Sequence, residues 1–362
     1  MLGTSNGQTV WTELWRATKL NALVEDVSDI LTGGSVSMNV DRDPKLDARF
    51  MVTDPARLGP YTDYLAPFSN IVYDDGRPSV RQQVGLFTIR VPSGSRSIDW
   101  ATAEYHARDL TADLARQAFD DTYNIAVGTN YVTAIIAIIE SAGFLRHSIV
   151  ATSQTLASNL SIEAGTTKLA AVNQLLKAVG YYNLYTTGDG RLTSKPSQAV
   201  QYVEPLMTLT SDDIEGEIET QPLDTTVANV IIVLKNDPAA VPLKAIRRND
   251  DPASPTSTVN LGEIARSPET VPDLADQAAV DAYADRLLSE GRTFYRTSRI
   301  ITLPNPDVIM PHQTVRLDLS GKQAVFNGLW WIRTADFGFM AESSKPRLEL
   351  NQVVDAIQGV LV

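Results

Sequence analysis

The sequence predicts a mainly β protein with an α+β insert: two tandem β-barrel units flank a small α/β domain. Three observations carry that expectation. β-branched or alternating runs bounded by Gly, Pro, Asn and Asp recur in the first and last thirds of the 362 residues. The middle third switches to the period of helices. A set of motifs from the first third returns in the same order in the last.

Residues 1–109 form the first unit, with strand-like runs at Gln8 to Arg16, Ser35 to Asp41, Ala48 to Val52 and Val84 to Val91. The insert spans 110–204. Its stretches NYVTAIIAIIESAG and TTKLAAVNQLLKAVG place apolar residues at helical spacing and stop at Gly143 and Gly180, the residue type favoured just past a helix end. YYNLYTTGDGRLTSKP then reads as a hairpin turning at Gly188-Asp189-Gly190. Residues 205–362 form the second unit, with strands at Val227 to Leu234, Ser298 to Leu303, Thr314 to Leu319 and Leu329 to Thr334. A helix is expected at about 273–290 in DLADQAAVDAYADRLLSEG, after a Pro- and Asp-rich loop, about 249–272, expected to be mobile.

The repeat emerges when ILTGGSVSMNVDRDPKLDARFMVTDP, 30–55, is laid against DDIEGEIETQPLDTTVANVIIVLKNDP, 212–238, with Gly34 on Gly216. Ser35-Val36-Ser37 then matches Glu217-Ile218-Glu219, and Phe50-Met51-Val52 falls near Ile231-Ile232-Val233. Both segments end in Asp-Pro, at Pro55 and Pro238. Further on, Gly85 to Arg90 and Gly328 to Arg333 share the pattern G-L-aromatic-x-I-R, and 16 residues after each arginine another strand-like run passes His106 or Glu349.

Successive residues of a strand point to opposite faces, so Glu215, Glu217 and Glu219 share one side and Ile214, Gly216, Ile218 and Thr220 the other. Between Lys195 and Lys235 the chain holds 7 acids and no Lys or Arg. The matching face in the first unit carries Ser35, Ser37 and Asn39, all neutral.

Composition removes several function classes. The net charge of −12 argues against gripping nucleic-acid phosphates. Without cysteine there are no disulfides, thiolate metal sites or cysteine nucleophiles. The 3 histidines, His106, His147 and His312, sit in separate segments, and no HExxH, GxSxG, Walker or GxGxxG pattern occurs. Asp74-Asp75-Gly76 and Gly188-Asp189-Gly190 lack calcium-loop spacing and read as turns. Asp212 and Asp213 are adjacent, so on a strand their carboxylates point apart and cannot work as a hydrolytic pair. The expectation is a protein that is not an enzyme, with no cofactor and no metal. The longest apolar run, Ala134 to Ile139, is far short of a bilayer span, and the N-terminus lacks a signal-peptide pattern. Phe87, Trp330 and Trp331 are candidates for contacts between subunits, the two tryptophans facing opposite ways.

The duplicated β units, the insert with its Gly-terminated helices, the helix DQAAVDAYADRLLSEG before LPNPDVIMPHQTVRL, and the GLWWIR strand together resemble the tail hub, or tail-tip hub, proteins of tailed bacteriophages and their contractile-system relatives. The resemblance covers nearly the whole chain. Many relatives have Gly-Asp in the last turn, where this chain has Pro311-His312-Gln313. In that family two tube-like barrel domains per chain build a homotrimer with pseudo-sixfold symmetry, which docks a hexameric tail tube or distal tail ring to threefold tip structures. The resemblance therefore implies a structural virion protein at the tail tip, assembled in the host cytoplasm. Its implied partners are the tube or distal tail ring, a tape measure protein and a tail fibre or spike. DNA would pass through without specific binding, with Glu215, Glu217, Glu219, Ser35, Ser37 and Asn39 as candidates to line the channel, the alternative for the acidic strand being an ordinary solvated outer face, and with the insert outside the ring. Since no peptidase- or lysozyme-like segment follows Val362, a bare hub is expected. The alternative is a carbohydrate- or receptor-binding tail module, with Trp11, Trp15, Trp100, Trp330 and Trp331 as stacking platforms exposed in loops.

Overall fold

The computed structural model of the chain describes residues 3–5, 8–89, 102–198, 202–220, 228–235, 242–254, 256–265, 267–271, 276–291, 294–303, 309–339 and 345–354, with backbone only at 3–5, 289–291, 294–296 and 353–354. Its first unit is built from β1 (Gly3–Ser5), β2 (Gln8–Ala17), β3 (Leu23–Asp26), β4 (Leu31–Asn39), β5 (Leu46–Val52), β6 (Tyr64–Tyr73), β7 (Val80–Gln83), β8 (Phe87–Ile89) and β9 (Ala103–Asp109). β5 illustrates why these segments are strands: Leu46, Ala48, Phe50 and Val52 are buried while Asp47, Arg49 and Met51 alternate with them toward water.

The insert contains α1 (Thr111–Arg116), β10 (Tyr123–Ile125), α2 (Tyr131–Ser141), β11 (His147–Ile149), β12 (Leu160–Ile162), α3 (Lys168–Ala178), β13 (Tyr185–Thr186) and β14 (Leu192–Ser194). Asn130 and Thr167 cap the two long helices by accepting from backbone N–H groups of their first turns. Both helices stop as the sequence predicts. Gly143 and Gly180 take φ of 78° and 76°, and the backbone bonds Phe144 N to Ile139 O and Tyr181 N to Leu176 O close each end. The predicted hairpin is present as β13 paired antiparallel with β14. Helices and small sheets enclose a core of their own around Ile135, Ile138, Ala171, Val172, Leu175 and Leu176, and this core also takes Ala17, Ala66 and Leu86 from the first unit. β2, β6 and β8 are thus covered on both faces, since Leu14, Leu65 and Phe87 point into the main core.

The second unit begins with β15 (Pro205–Thr210) and β16 (Ile214–Thr220) and ends with β20 (Phe294–Thr302), β21 (Thr314–Asp318), β22 (Gly328–Gly338) and β23 (Arg347–Val354). Between β16 and β20 lie β17 (Val230–Lys235), β18 (Leu243–Arg248), α4 (Thr258–Leu261), β19 (Glu269–Thr270) and α5 (Gln277–Gly291). These make a separate layer: α5 packs Val280, Tyr283, Ala284 and Leu287 onto the sheet β18-β17-β19, around a third core with Ile231 and Val233. The loop expected to be mobile is laced internally. Asn249 bonds Ser254 and Thr256, and Asn260 donates to the carbonyls of Pro252 and Ser254.

Strand order reveals the duplication. In the first unit β4, β5, β9, β8 and β6 are neighbours in that order, every contact antiparallel. In the second, β16, β20, β23, β22 and β21 follow the same order with the same direction at each step. Phe87-Thr88-Ile89 of the first motif and GLWWIR of the second fall on the equivalent strands β8 and β22, and the runs at His106 and Glu349 on β9 and β23, as the motif spacing indicates. One match needs correction: the counterpart of β5 is β20 and not the strand at Ile231 to Val233, which belongs to the interposed layer. The units do not stand as two separate sheets. One sheet runs from β1 through β4 and β22 to β16, and a single core, from Leu14 and Phe50 to Trp330 and Leu350, lies beneath both units.

Three parts of the chain meet at His312. Its ring stacks on Tyr182 of the insert at 3.8 Å and meets Tyr185 edge-on at 5.4 Å. Nearby, Lys45 of the first unit is buried, donating to Val40 O at 2.7 Å and pairing with Asp43, which accepts from Asn183 of the insert. His312 has φ of 64°, a left-handed conformation uncommon for a residue with a Cβ.

Candidate functional site

The face of the joined sheet opposite the core is polar. Residues paired across strands share a face, so Ser35, Arg49 and His106 form one row and Ser37, Asp47 and Arg108 the next. In the second unit Glu219, Arg299 and Glu349 form the corresponding row. Glu215 lies on this face beside Ile301, while Ile214 packs against the core. Glu217 is exposed within an irregular stretch of β16.

Cations were not foreseen on this face, and they change its chemistry. Lys345 holds Glu215 at 2.5 Å; Arg299 pairs with Glu349 at 3.2 Å; Arg333 bridges Glu349 at 3.2 Å and Asp41 at 2.6 Å. The Asp41 hydrogen bond raises the pKa of Arg333 further. In the first unit Arg108 lies 3.5 Å from Asp47, whose carboxyl partial burial pushes up against the pull of that arginine. Both units therefore carry both signs on this face, with ion pairs at Arg108–Asp47, Lys345–Glu215, Arg299–Glu349 and Arg333–Asp41. The partners come from distant strands, so the one-strand reading of the glutamates had no access to them.

Ser35, Ser37 and Asn39 sit where the two units join. β4 pairs antiparallel with the end of β22, Ser35 opposite Gly338, Ser37 opposite Asp336 and Asn39 opposite Thr334. Val40 N donates to Arg333 O at 3.1 Å and Phe339 N to Gly34 O at 2.9 Å, extending the joint at both ends. Behind it Phe339 stacks on Phe50 at 5.6 Å. Gly34 is required here: a Cβ would lie 2.1 Å from Arg49 O and 2.8 Å from the Phe339 ring, at φ of 145°. At Gly216 a Cβ would meet nothing within 4 Å. Gly34→Ala is expected to cost more stability than Gly216→Ala, which bears only backbone strain of about 1–2 kcal/mol. Urea unfolding of the two variants checks the order, and equal losses would contradict it.

The aromatic candidates separate by face. Phe87 and Trp330 are 0% exposed in the main core, the indole donating to Phe326 O at 2.7 Å, so neither is available to a neighbouring subunit in this fold. Both faces of their strands carry apolar residues, so pattern alone could not tell which side was core. Trp331 is half-buried, as are Trp11 and Trp15. Trp100 lies outside the described residues. His106 is exposed, His147 lies 3.1 Å from Glu140, and His312 is buried, so the structure brings no two histidines together. Among the described residues no cluster of three or more His, Asp or Glu is placed to hold a metal, and no helix is long and apolar enough to cross a membrane.

No protein-family model matches the sequence, nor does any curated protein. Solved structures do match. The tail protein from Neisseria meningitidis MC58 is 16% identical, with a TM-score of 0.65 over 95% of this chain and 96% of that one. The 43 kDa tail protein of prophage MuSo2 from Shewanella oneidensis is 11% identical, with a TM-score of 0.61 over 96% and 100%. Prophage tail protein gp18 from Listeria monocytogenes EGD-e is 13% identical, with a TM-score of 0.55 over 95% and 96%. This chain has the mainly β fold of phage tail proteins, the kind of protein its motifs resemble.

Proposed function

We propose that this chain is a structural component of a phage-type tail, the hub that joins a hexameric tail tube or distal tail ring to the threefold tip. The observation that carries the reading is the repeated five-strand unit, fused edge to edge in one sheet. A sixfold tube presents six equivalent edges, and three chains can meet them only if each offers two similar surfaces. The homotrimer is then a ring of six units at the virion tail tip, built in the host cytoplasm, with tape measure and fibre or spike proteins as further neighbours. The insert, which covers the opposite side of β2, β6 and β8, stands outside the ring.

The uncovered polar face lines the channel in this reading, through Glu215, Glu217, Glu219, Ser35, Ser37 and Asn39. On this face Arg108, Arg299, Arg333 and Lys345 pair with carboxylates. Passing DNA would therefore meet paired charge rather than a run of cations, which limits phosphate binding. The test is assembly: native mass spectrometry of the purified protein with its tube protein is expected to give three times the chain mass of 39.5 kDa for the hub component. A stable monomer in that mixture, or six copies per ring, would refute the proposal.

A further inference from the structure

The seam between the first unit and the insert holds a cavity of about 320 Å³. The first unit lines it with Lys19 from the turn after β2, Tyr61 and Asp63 from the loop before β6, and Thr88 from β8; the insert adds Asp113 and Arg116 from α1. Two cations and two carboxylates thus share the wall, and each is engaged. Lys19 donates to Ala142 O at 2.8 Å, Asp63 accepts from Arg16 at 2.9 Å and from Gly59 N at 2.7 Å, and Asp113 pairs with Arg116 and accepts from Tyr64 at 3.3 Å. An ion would meet balanced charge here. A hydroxyl, which both donates and accepts, can use the further donors of a lysine ammonium and the further lone pairs of a carboxylate. Two more features point to an occupant. Thr88 is buried in the wall, and its hydroxyl has no hydrogen-bond partner. Tyr61 is 63% exposed and has φ of 73°, a left-handed backbone held in place by its N–H donating to Ile89 O at 3.0 Å. Strained backbone of this kind concentrates at binding sites.

We propose that this cavity binds one pyranose ring of a neutral carbohydrate, with Tyr61 stacking on the C–H face of the sugar and Lys19 and Asp63 hydrogen-bonding its hydroxyls. An aromatic face beside a few polar groups is the combination that suits a ring with one apolar face and a polar rim. The volume lies at the small end of the range for small-molecule sites, about 300–1,000 Å³, which admits one ring and leaves the rest of a longer glycan outside. The cavity sits at a boundary between two parts of the chain, a common place for such sites. It is separate from the polar sheet face and does not depend on the ring reading. It also moves the sugar site away from the tryptophans, since the aromatic side chains that line it are Tyr61 and Tyr64.

The test is saturation-transfer-difference NMR on the full chain with glucose, galactose, mannose, N-acetylglucosamine and glucuronate, each added alone. At least one neutral sugar is expected to receive saturation at its ring C–H protons. Tyr61→Ala should weaken that binding about tenfold, the scale of one lost ring contact, while Tyr61→Phe, which keeps the ring, and Trp331→Ala should retain it. Urea unfolding of Tyr61→Ala alongside wild type checks that the loss is not misfolding; if that variant is unfolded, protection of the Tyr61 ring protons from a soluble spin label by the bound sugar in wild type decides the placement. No signal from any neutral sugar overturns the proposal, and a signal from glucuronate alone overturns the charge argument. Binding that survives Tyr61→Ala, or that falls with Trp331→Ala instead, overturns the assignment to this cavity.

Discussion

Trp330→Ala is expected to lower the unfolding free energy by about 3–5 kcal/mol, the range for emptying a large aromatic from a close-packed core. Among the described residues Trp330 is the largest fully buried side chain, and its indole also donates to Phe326 O. Truncation would leave both a cavity and an orphaned carbonyl. Trp331→Ala removes a side chain that is only half-buried and should cost about 1 kcal/mol or less in the isolated chain, acting instead on association if that ring meets a neighbouring subunit. Chemical denaturation of the two variants reads this contrast directly. Comparable losses would mean that the two faces of β22 had been misassigned.

Acid is expected to loosen the meeting point of the three parts of the chain through His312. Burial lowers its pKa from 6.5 to about 3, with Lys45 and Lys195 adding repulsion, and neither ring nitrogen has a hydrogen-bond partner. The folded state therefore keeps the neutral ring, and the stability this gives is complete above the unfolded pKa near 6.5. It is lost as pH falls from there toward about 3, at about 1.4 kcal/mol per pH unit. Asp109 works in the opposite sense. Burial raises its carboxyl to about 6 against hydrogen bonds from Thr111 and Leu46, so its protonation favours the folded state as pH drops through that window. Comparison with His312→Asn, which tolerates the same left-handed backbone, isolates the histidine. Wild type should be the more stable protein at pH 7, and its advantage should shrink by about 2–3 kcal/mol at pH 4.5. Denaturation at both pH values checks this, and a pH-independent difference would show that His312 keeps access to water or a hydrogen-bond partner.

Much of the fold was legible without coordinates because its determinants are local. The helices at Tyr131–Ser141 and Lys168–Ala178 follow from apolar spacing and from Gly143 and Gly180, and the hairpin from Gly188-Asp189-Gly190. The repeat was legible for the same reason: Gly34 and Gly216 lie in the corresponding strands β4 and β16, and the two G-L-aromatic-x-I-R motifs mark the corresponding strands β8 and β22. Pairing between strands is not local, and there pattern gave out. An apolar run such as Val230–Lys235 suits any sheet, so only tertiary structure could show that it pairs with β18 under α5 while β20 takes the place beside β16. Burial of Phe87 and Trp330 was likewise undecided, because Leu86 and Trp331 are as apolar as they are and the covering layers come from elsewhere in the chain. The glutamates show the limit most directly. Their shared face follows from the two-residue period of a strand, but Lys345, the cation that holds Glu215, lies 130 residues away in sequence. A charge is set by its own residue; its field is set by whatever folding brings beside it.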